Sequence, residues 1–175
     1  MSHDVDGHLL VAARYRLETL LGRGGMGEVY RALDLETNER VAVKRLRFKG
    51  TDIDKVNRTR FGREITTALT LEHPNIVKAL DGGEDDHGLF LVMEHLEGVE
   101  LGDHLQVHPR FEWERAVTLG RHVCSALGYV HSRKILHRDV KADNVVLVGK
   151  DTPSERLVLI DFGIARGVDQ LTMLT

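Results

Sequence analysis

The sequence predicts an α+β fold in which strands and helices are segregated along the chain rather than alternated. Three observations predict it. Residues 14 to 48 carry three runs of β-forming residues. A second pair of short apolar runs follows a single helical stretch. Beyond Gly98 the dominant pattern is helical, with one brief strand pair after it. The 175 residues are 42% hydrophobic and 29% charged. That composition excludes a disordered or disulfide-stapled chain, and the length allows one domain or two small lobes.

Residues 1–13 read as a tail. Asp4 and Asp6 stand where a signal peptide needs basic residues, and the apolar run Leu9 to Ala13 is far too short to span a bilayer. Strands are expected around Tyr15, over Glu28 to Ala32 and over Arg40 to Lys44, with Asp34 to Glu39 as a hairpin connection. Phe61, Ile65, Ala68 and Leu69 then fall on one helical face. Gly62 inside that helix costs ~1 kcal/mol relative to Ala. His73-Pro74-Asn75 ends it. Ile76 to Leu80 and Leu89 to Met93 read as a strand pair, joined by a turn from Asp81 to Gly88. The spacing of Ala116, Val123, Leu127 and Val130 predicts a long helix over Glu112 to Ser132. Two strands, Val145 to Val148 and Leu157 to Ile160, close the pattern.

Twenty-four basic against 27 acidic residues give a net charge of −3, so no global field marks the chain for nucleic acid or an anionic membrane. Nothing approaches 18 consecutive apolar residues. The single cysteine, Cys124, excludes an internal disulfide and fits a cytoplasmic setting; its position on the long helix predicts a buried thiol. His104 and His108 have the i, i+4 spacing of two metal ligands. Pro109 follows at once and no third ligand is in view, which argues against zinc. Glu84-Asp85-Asp86 reads as a solvated turn.

Four motifs carry chemistry. Gly22-Arg23-Gly24-Gly25-Met26-Gly27-Glu28-Val29 fits G-x-G-x-x-G-x-V. Alone it could be a dinucleotide loop, another phosphate loop or a flexible hairpin tip. A dinucleotide fingerprint needs a helix after the last glycine, and here strands follow. A Walker A loop needs Gly-Lys before Ser or Thr, and the chain's Gly149-Lys150 precedes Asp151. What remains is a glycine hairpin whose N–H groups can approach phosphate oxygens. Lys44, ending Val41-Ala42-Val43-Lys44, can reach the same phosphates from the third strand, and Glu64 on the helix is the carboxylate that would hold it. His137-Arg138-Asp139-Val140-Lys141-Ala142-Asp143-Asn144 fits H-R-D-x-x-x-x-N. Asp139 can accept a hydroxyl proton, Lys141 can offset charge on a transferred phosphoryl group, and Asn144 can turn to a metal ion. Asp161-Phe162-Gly163 follows an apolar strand, where a carboxylate suits Mg²⁺.

Together these motifs resemble the eukaryotic-type Ser/Thr protein kinase family, particularly its bacterial branch. The likeness runs from Arg14 to Arg166 and is close at Gly22 to Ala32, His73-Pro74-Asn75-Ile76-Val77 and Asp161-Phe162-Gly163-Ile164-Ala165-Arg166. It implies a kinase-like small lobe over 14–97 and part of a large lobe over 98–175. It also implies ATP and Mg²⁺ as donor, with a protein Ser or Thr as acceptor. Lys141 favours Ser/Thr over Tyr. By the same likeness Met93 is the gatekeeper, and Glu94 and Leu96 offer backbone hydrogen bonds to adenine. Val29, Ala42 and Val146 sandwich the ring.

Ala142 stands where the family usually has Pro, and Ala68 is smaller than its usual residue. The rest of the family's activation segment and the helices after it are absent from these 175 residues. A second reading therefore stands beside the enzyme: a nucleotide-binding or interaction module without catalysis, its exposed large-lobe surface open to self-association. Thr172 and Thr175 lie where activation-segment phosphosites could occur.

Overall fold

The computed structural model describes residues 7–24, 27–46 and 52–161, with the backbone alone for 52–56. These residues form two units. One takes in the chain up to Thr70 together with Lys78–His95; the other takes in Leu71–Val77 and the chain from Leu96 on.

The first unit is a six-stranded antiparallel sheet with one helix. Its strands are β1 (Leu10–Val11), β2 (Tyr15–Gly24), β3 (Gly27–Asp34), β4 (Arg40–Leu46), β5 (Ala79–Asp85) and β6 (Gly88–Glu94), in the order β1-β2-β3-β4-β6-β5. Strands β2 and β5 are far apart in that order. Even so, the Tyr15 hydroxyl donates to Asp81 Oδ2 at 2.6 Å, so the sheet is strongly curled. The core inside the curl holds Val11, Tyr15, Leu17, Ala32, Val41, Val43, Phe90 and Val92. Arg14 grips Asp34 with two hydrogen bonds of 2.8 and 2.7 Å at the β2–β3 end. The guanidinium holds the Asp34 carboxyl far below the usual carboxylate range.

The period of two decides what β4 presents. Val41 and Val43 point into the core, so Ala42 and Lys44 must point to the opposite face. Register places Val29 opposite Lys44, and Met93 opposite Ala42, on that same face. Helix α1 (Asp52–Ala68) packs against β5 and β6. It buries Phe61, Glu64 and Ile65, whereas Leu69, expected on its apolar face, lies past the helix end and is exposed.

The β5–β6 hairpin corrects the expected turn. Asp81 to Asp85 are strand, and Asp86 and His87 alone make the connection. Two glycines suggested a loop, but Gly82 pairs with Leu91 and Gly83 with Phe90. A Cβ on Gly82 would stand 2.6 Å from Ile65 Cγ2, so glycine here lets the helix lie against the sheet. The acidic run is tied down as well: Asp85 meets Arg45 at 3.0 Å, and Glu84 pairs with Arg58.

The second unit contains β7 (Gly98–Glu100), β8 (Val145–Val148) and β9 (Arg156–Leu159) as a three-stranded sheet. Helices α2 (Leu101–Val107) and α3 (Trp113–Ser132) and a 3₁₀ turn at Ala142–Asn144 complete it. Strand β7, only three residues long, is absent from the sequence expectation. Helix α3 turns Leu119, Ala126 and Val130 inward, with Val123 and Leu127 partly buried. Ala116 and Cys124 are exposed, so the buried stripe is rotated from the expected one and the thiol is not a core residue. Ile76 and Val77, read from sequence as part of a strand pair, instead join this unit. Ile76 bridges Leu159 in parallel, and the Val77 N–H donates to the Leu159 carbonyl at 2.8 Å.

Helix α3 ends in a Schellman motif. Ile135 N–H donates to Val130 O at 3.0 Å, and Lys134 N–H to His131 O at 2.9 Å. The residue between helix and loop is Lys134, at φ +59°. A lysine there meets the Cβ penalty that glycine avoids. Lys134→Gly is therefore expected to raise the unfolding free energy by about 0.5–1 kcal/mol, read from urea denaturation of the 175-residue chain. A loss of stability would show that the turn is held by the Lys134 side chain instead.

Candidate active site

The first unit assembles a buried ion pair. Lys44 Nζ lies 2.8 Å from Glu64 Oε1, with both residues buried, and the ammonium sits 5.6 Å from the centre of the Phe61 ring. Strand β4 aims the lysine toward α1 by alternation, and Phe61 and Glu64, one helical turn apart, meet it. Val29 and the buried Ala42 and Met93 lie on the face that carries Lys44. Glu94 N–H donates to the Lys78 carbonyl at 2.9 Å. Its carboxylate caps Lys78 N–H at 2.8 Å.

The glycine hairpin is read from its two arms. Added Cβ atoms at Gly22 and Gly24 would meet nothing within 4 Å, so these glycines keep open space. Gly27 is different. Its φ is +153°, and a Cβ would fall 1.9 Å from the Arg45 carbonyl oxygen, so only glycine fits where β3 begins. Gly25, with Phe162, Gly163, Thr172 and Thr175, lies outside the described residues.

The second unit gathers Asp139, Asn144 and Asp161. The Asn144 amide donates to the Asp139 carbonyl at 2.8 Å and to Asp139 Oδ2 at 3.0 Å. Ile160 N–H donates to the Asn144 carbonyl at 3.1 Å, which carries the chain from β9 past Asn144 into Asp161. Behind them His137 is 1% exposed. Burial pushes its imidazole below the usual range, while the charges of Asp161 and Asp139 pull it upward. Both carboxylates thus act on one ring. Arg138, between His137 and Asp139, adopts φ +62°, a left-handed backbone at the turn between them. Lys141 is exposed and stands 3.5 Å from Asp143. Val146 is buried on β8, and Leu96 is half-buried at the start of the second unit's longer segment.

The donor set fits Mg²⁺. Asn144 spends its amide N–H₂ on Asp139, so its side-chain oxygen is the group left to face a cation, with Asp161 as the second candidate donor. Two hard oxygen donors suit an ion that completes its shell with phosphate oxygens and water. His104 takes another role: buried, its ring stacks on Phe111 at 5.1 Å and tilts against His108 at 4.9 Å.

His73-Pro74-Asn75 supports this site from below. Asn75 Nδ2 donates to the Leu157 carbonyl at 2.9 Å, and Leu159 N–H donates to the Asn75 carbonyl at 3.0 Å. His73 meets Ser125 Oγ at 3.1 Å, and its ring lies 5.1 Å from Tyr129. One functional candidate escaped the sequence reading, the buried Glu28. Its signal was a charged residue set directly against Arg23 across the glycine hairpin.

Residues 15–175 match the protein kinase domain family. The serine/threonine-protein kinase PrkC of Bacillus subtilis is 33% identical over 93% of this chain. The chain spans only 24% of PrkC. The crystal structure of the Mycobacterium tuberculosis PknI kinase domain is 33% identical with a TM-score of 0.72, covering 89% of this chain and 62% of that one. The structure of Rad53 1-466 in complex with AMP-PNP is 28% identical with a TM-score of 0.74, covering 87% of this chain and 39% of that one.

Two stability predictions follow from the site's chemistry. Glu64→Ala leaves a buried ammonium without its carboxylate and is expected to cost about 3 kcal/mol. The double replacement Lys44→Met with Glu64→Leu, which removes both charges, should cost clearly less in the same urea titration; equal losses would mean packing, not charge, dominates. The second concerns pH. Burial holds His73, His104 and His137 below the usual imidazole range. Below about pH 6.5 the unfolded chain therefore binds more protons than the folded one, and stability must fall as pH drops. Thermal melts between about pH 7.5 and 5.5 should show a falling midpoint; a flat profile would contradict the buried neutral rings.

Proposed function

The chain belongs to the protein kinase domain family, and on that premise we propose that it transfers the γ-phosphoryl group of ATP to Ser or Thr hydroxyls of protein substrates. The observation that carries this reading is the hold of Asn144 on Asp139, which fixes a carboxylate in one orientation while leaving an amide oxygen for a cation. The AMP-PNP named with the Rad53 neighbour supports an adenine nucleotide as ligand.

Each unit carries part of the machinery. In the first, Lys44 grips phosphate oxygens while Glu64 keeps it extended and charged, and the open arms at Gly22 and Gly24 leave room for phosphates. The resemblance assigns Gly25 and Gly27 to the same phosphate loop. Val29, Ala42 and Met93 offer an apolar surface for adenine, and the Glu94 backbone offers it a hydrogen bond. In the second unit the resemblance assigns Val146 and the Leu96 backbone to adenine. Asn144 and Asp161 hold Mg²⁺, which when bound neutralises phosphate charge. Asp139 accepts the proton of the attacking hydroxyl and aims its oxygen, and Lys141 offsets charge on the moving phosphoryl group.

Most of the catalytic gain in this scheme is positioning and electrostatics, since these residues form no covalent intermediate. Among the described residues no helix is long and apolar enough to cross a membrane. The exposed thiol of Cys124 and the demand for ATP support a cytoplasmic setting. Trp113 and Val117, both exposed on α3, support self-association.

The test is transfer of radiolabelled phosphate from ATP to a generic basic protein, run beside MgATP binding. Asp139→Ala is expected to lower transfer by at least about a hundredfold, the usual size of a lost acid–base contribution, with MgATP affinity within about twofold of wild type. Equal transfer by wild type and variant would remove Asp139 from the mechanism. Binding without transfer in the wild type would reduce the chain to a nucleotide-binding module.

A further inference from the structure

The back of the glycine hairpin carries a charge arrangement of its own. Arg23 on β2 and Glu28 on β3 are register partners, and their side chains meet at 2.8 Å. The Tyr30 hydroxyl donates to the other Glu28 oxygen at 2.8 Å. Glu28 also stands opposite Arg45 on β4, and Arg45 pairs with Asp85 at 3.0 Å. A row of alternating charge thus runs Arg23, Glu28, Arg45, Asp85, from the hairpin arms to the β5–β6 turn.

Alternation fixes which face this row occupies. Glu28 and Arg45 lie one residue away from Val29 and Lys44, which face each other in register. The row is therefore on the face opposite Lys44. Glu28 is 5% exposed, although a glutamate beside a glycine tip has every opportunity to reach water. A carboxylate gives up hydration only for partners that offset the loss, and here the Tyr30 phenol donates to Oε2 while the Arg23 guanidinium meets Oε1 as an ion pair.

We infer that Glu28 is a positioning residue for phosphate binding: from the back of the sheet it latches β3 to β2 across the glycine hairpin through Arg23, steadied by Tyr30 on its own strand, and so fixes where the N–H groups of the hairpin's arms stand. This rests on the nucleotide reading above. Glycine-rich arms have the most conformational freedom to lose when a ligand orders them. A latch that orders them beforehand lowers that cost for any ligand that uses the hairpin, and only for such a ligand. Adenosine, which lacks phosphates, does not use it.

The experiment measures dissociation constants of the 175-residue chain for MgATP and for adenosine by calorimetry. Glu28→Gln keeps the volume and the Tyr30 partner but removes the charge that holds Arg23. It is expected to weaken MgATP binding about fivefold, the size of one modest ion pair, and to leave adenosine unchanged. Arg23→Gln, which alters only an exposed partner, should weaken MgATP similarly and add nothing in the Glu28→Gln background. Unchanged or tighter MgATP binding by Glu28→Gln overturns the latch, because a released Arg23 would then be acting on phosphate directly. So does an equal loss for adenosine, which marks general damage to the fold. If Glu28→Gln does not fold, Arg23→Gln decides by the same split between the two ligands. A wild type that binds neither ligand overturns the nucleotide reading itself, and the latch with it.

Discussion

A buried ammonium is stable only beside a buried anion, and the first unit is organised around that demand. Lys44 sits at 2.8 Å from Glu64 with both side chains nearly dry. Desolvating both charges offsets much of their attraction, so the pair adds little net stability. Its effect is on geometry. The carboxylate must come from α1, which fixes where the helix rests on the sheet. Gly82 permits that rest by leaving room for Ile65. Thus a glycine in β5, an isoleucine in α1 and a lysine in β4 express one constraint.

The second unit meets a related demand with hydrogen bonds. Asn144 and Asp161 flank the apolar strands β8 and β9, and Asp139 lies in the loop before them. Backbone groups hold the set together: Asn144 bonds the Asp139 carbonyl and Ile160 N–H, and Asn75 bonds β9. The Asn75 segment is far from these residues in sequence. It acts as a strut that ties the strand before Asp161 to the body of α3 through His73 and Ser125. Rigid support of this kind is what a positioned carboxylate requires, because a displacement of about 1 Å can cost a hundredfold in rate.

Much of this was legible in the residues because the signals were redundant. The Val41-Ala42-Val43-Lys44 alternation fixed both the strand and the face of its lysine, and the partner Glu64 lay where a helix had to return. The Asn144 and Asp161 motifs lay on the expected turn and strand end. The misses have physical causes. Gly82 and Gly83 lack strand propensity, yet they are strand because tertiary packing needs their missing side chains. Strand β7 is three residues long and carries no periodic signal. On α3 the apolar residues outnumber the positions that can be buried, so Ala116 and Cys124 fell on the wrong side of a stripe that periodicity alone drew too broadly. Glu28 was passed over because its neighbours in sequence are glycine and valine, while its partners are across the strands.

The two faces of β3 and β4 divide the labour. One face holds Val29, Ala42 and Lys44, which need to be open or conditionally charged toward a ligand. The other holds Val41 and Val43 in the core and ends in the Glu28 and Arg45 row. A one-residue slip in register would exchange the two sets, putting valines where phosphate is proposed and an ammonium into the core. The charge row at the sheet end makes such a slip costly, since either direction would set Arg45 against Val29 or Gly27 and take it from Glu28. Charge on the back face therefore guards the register that charge on the front face depends on.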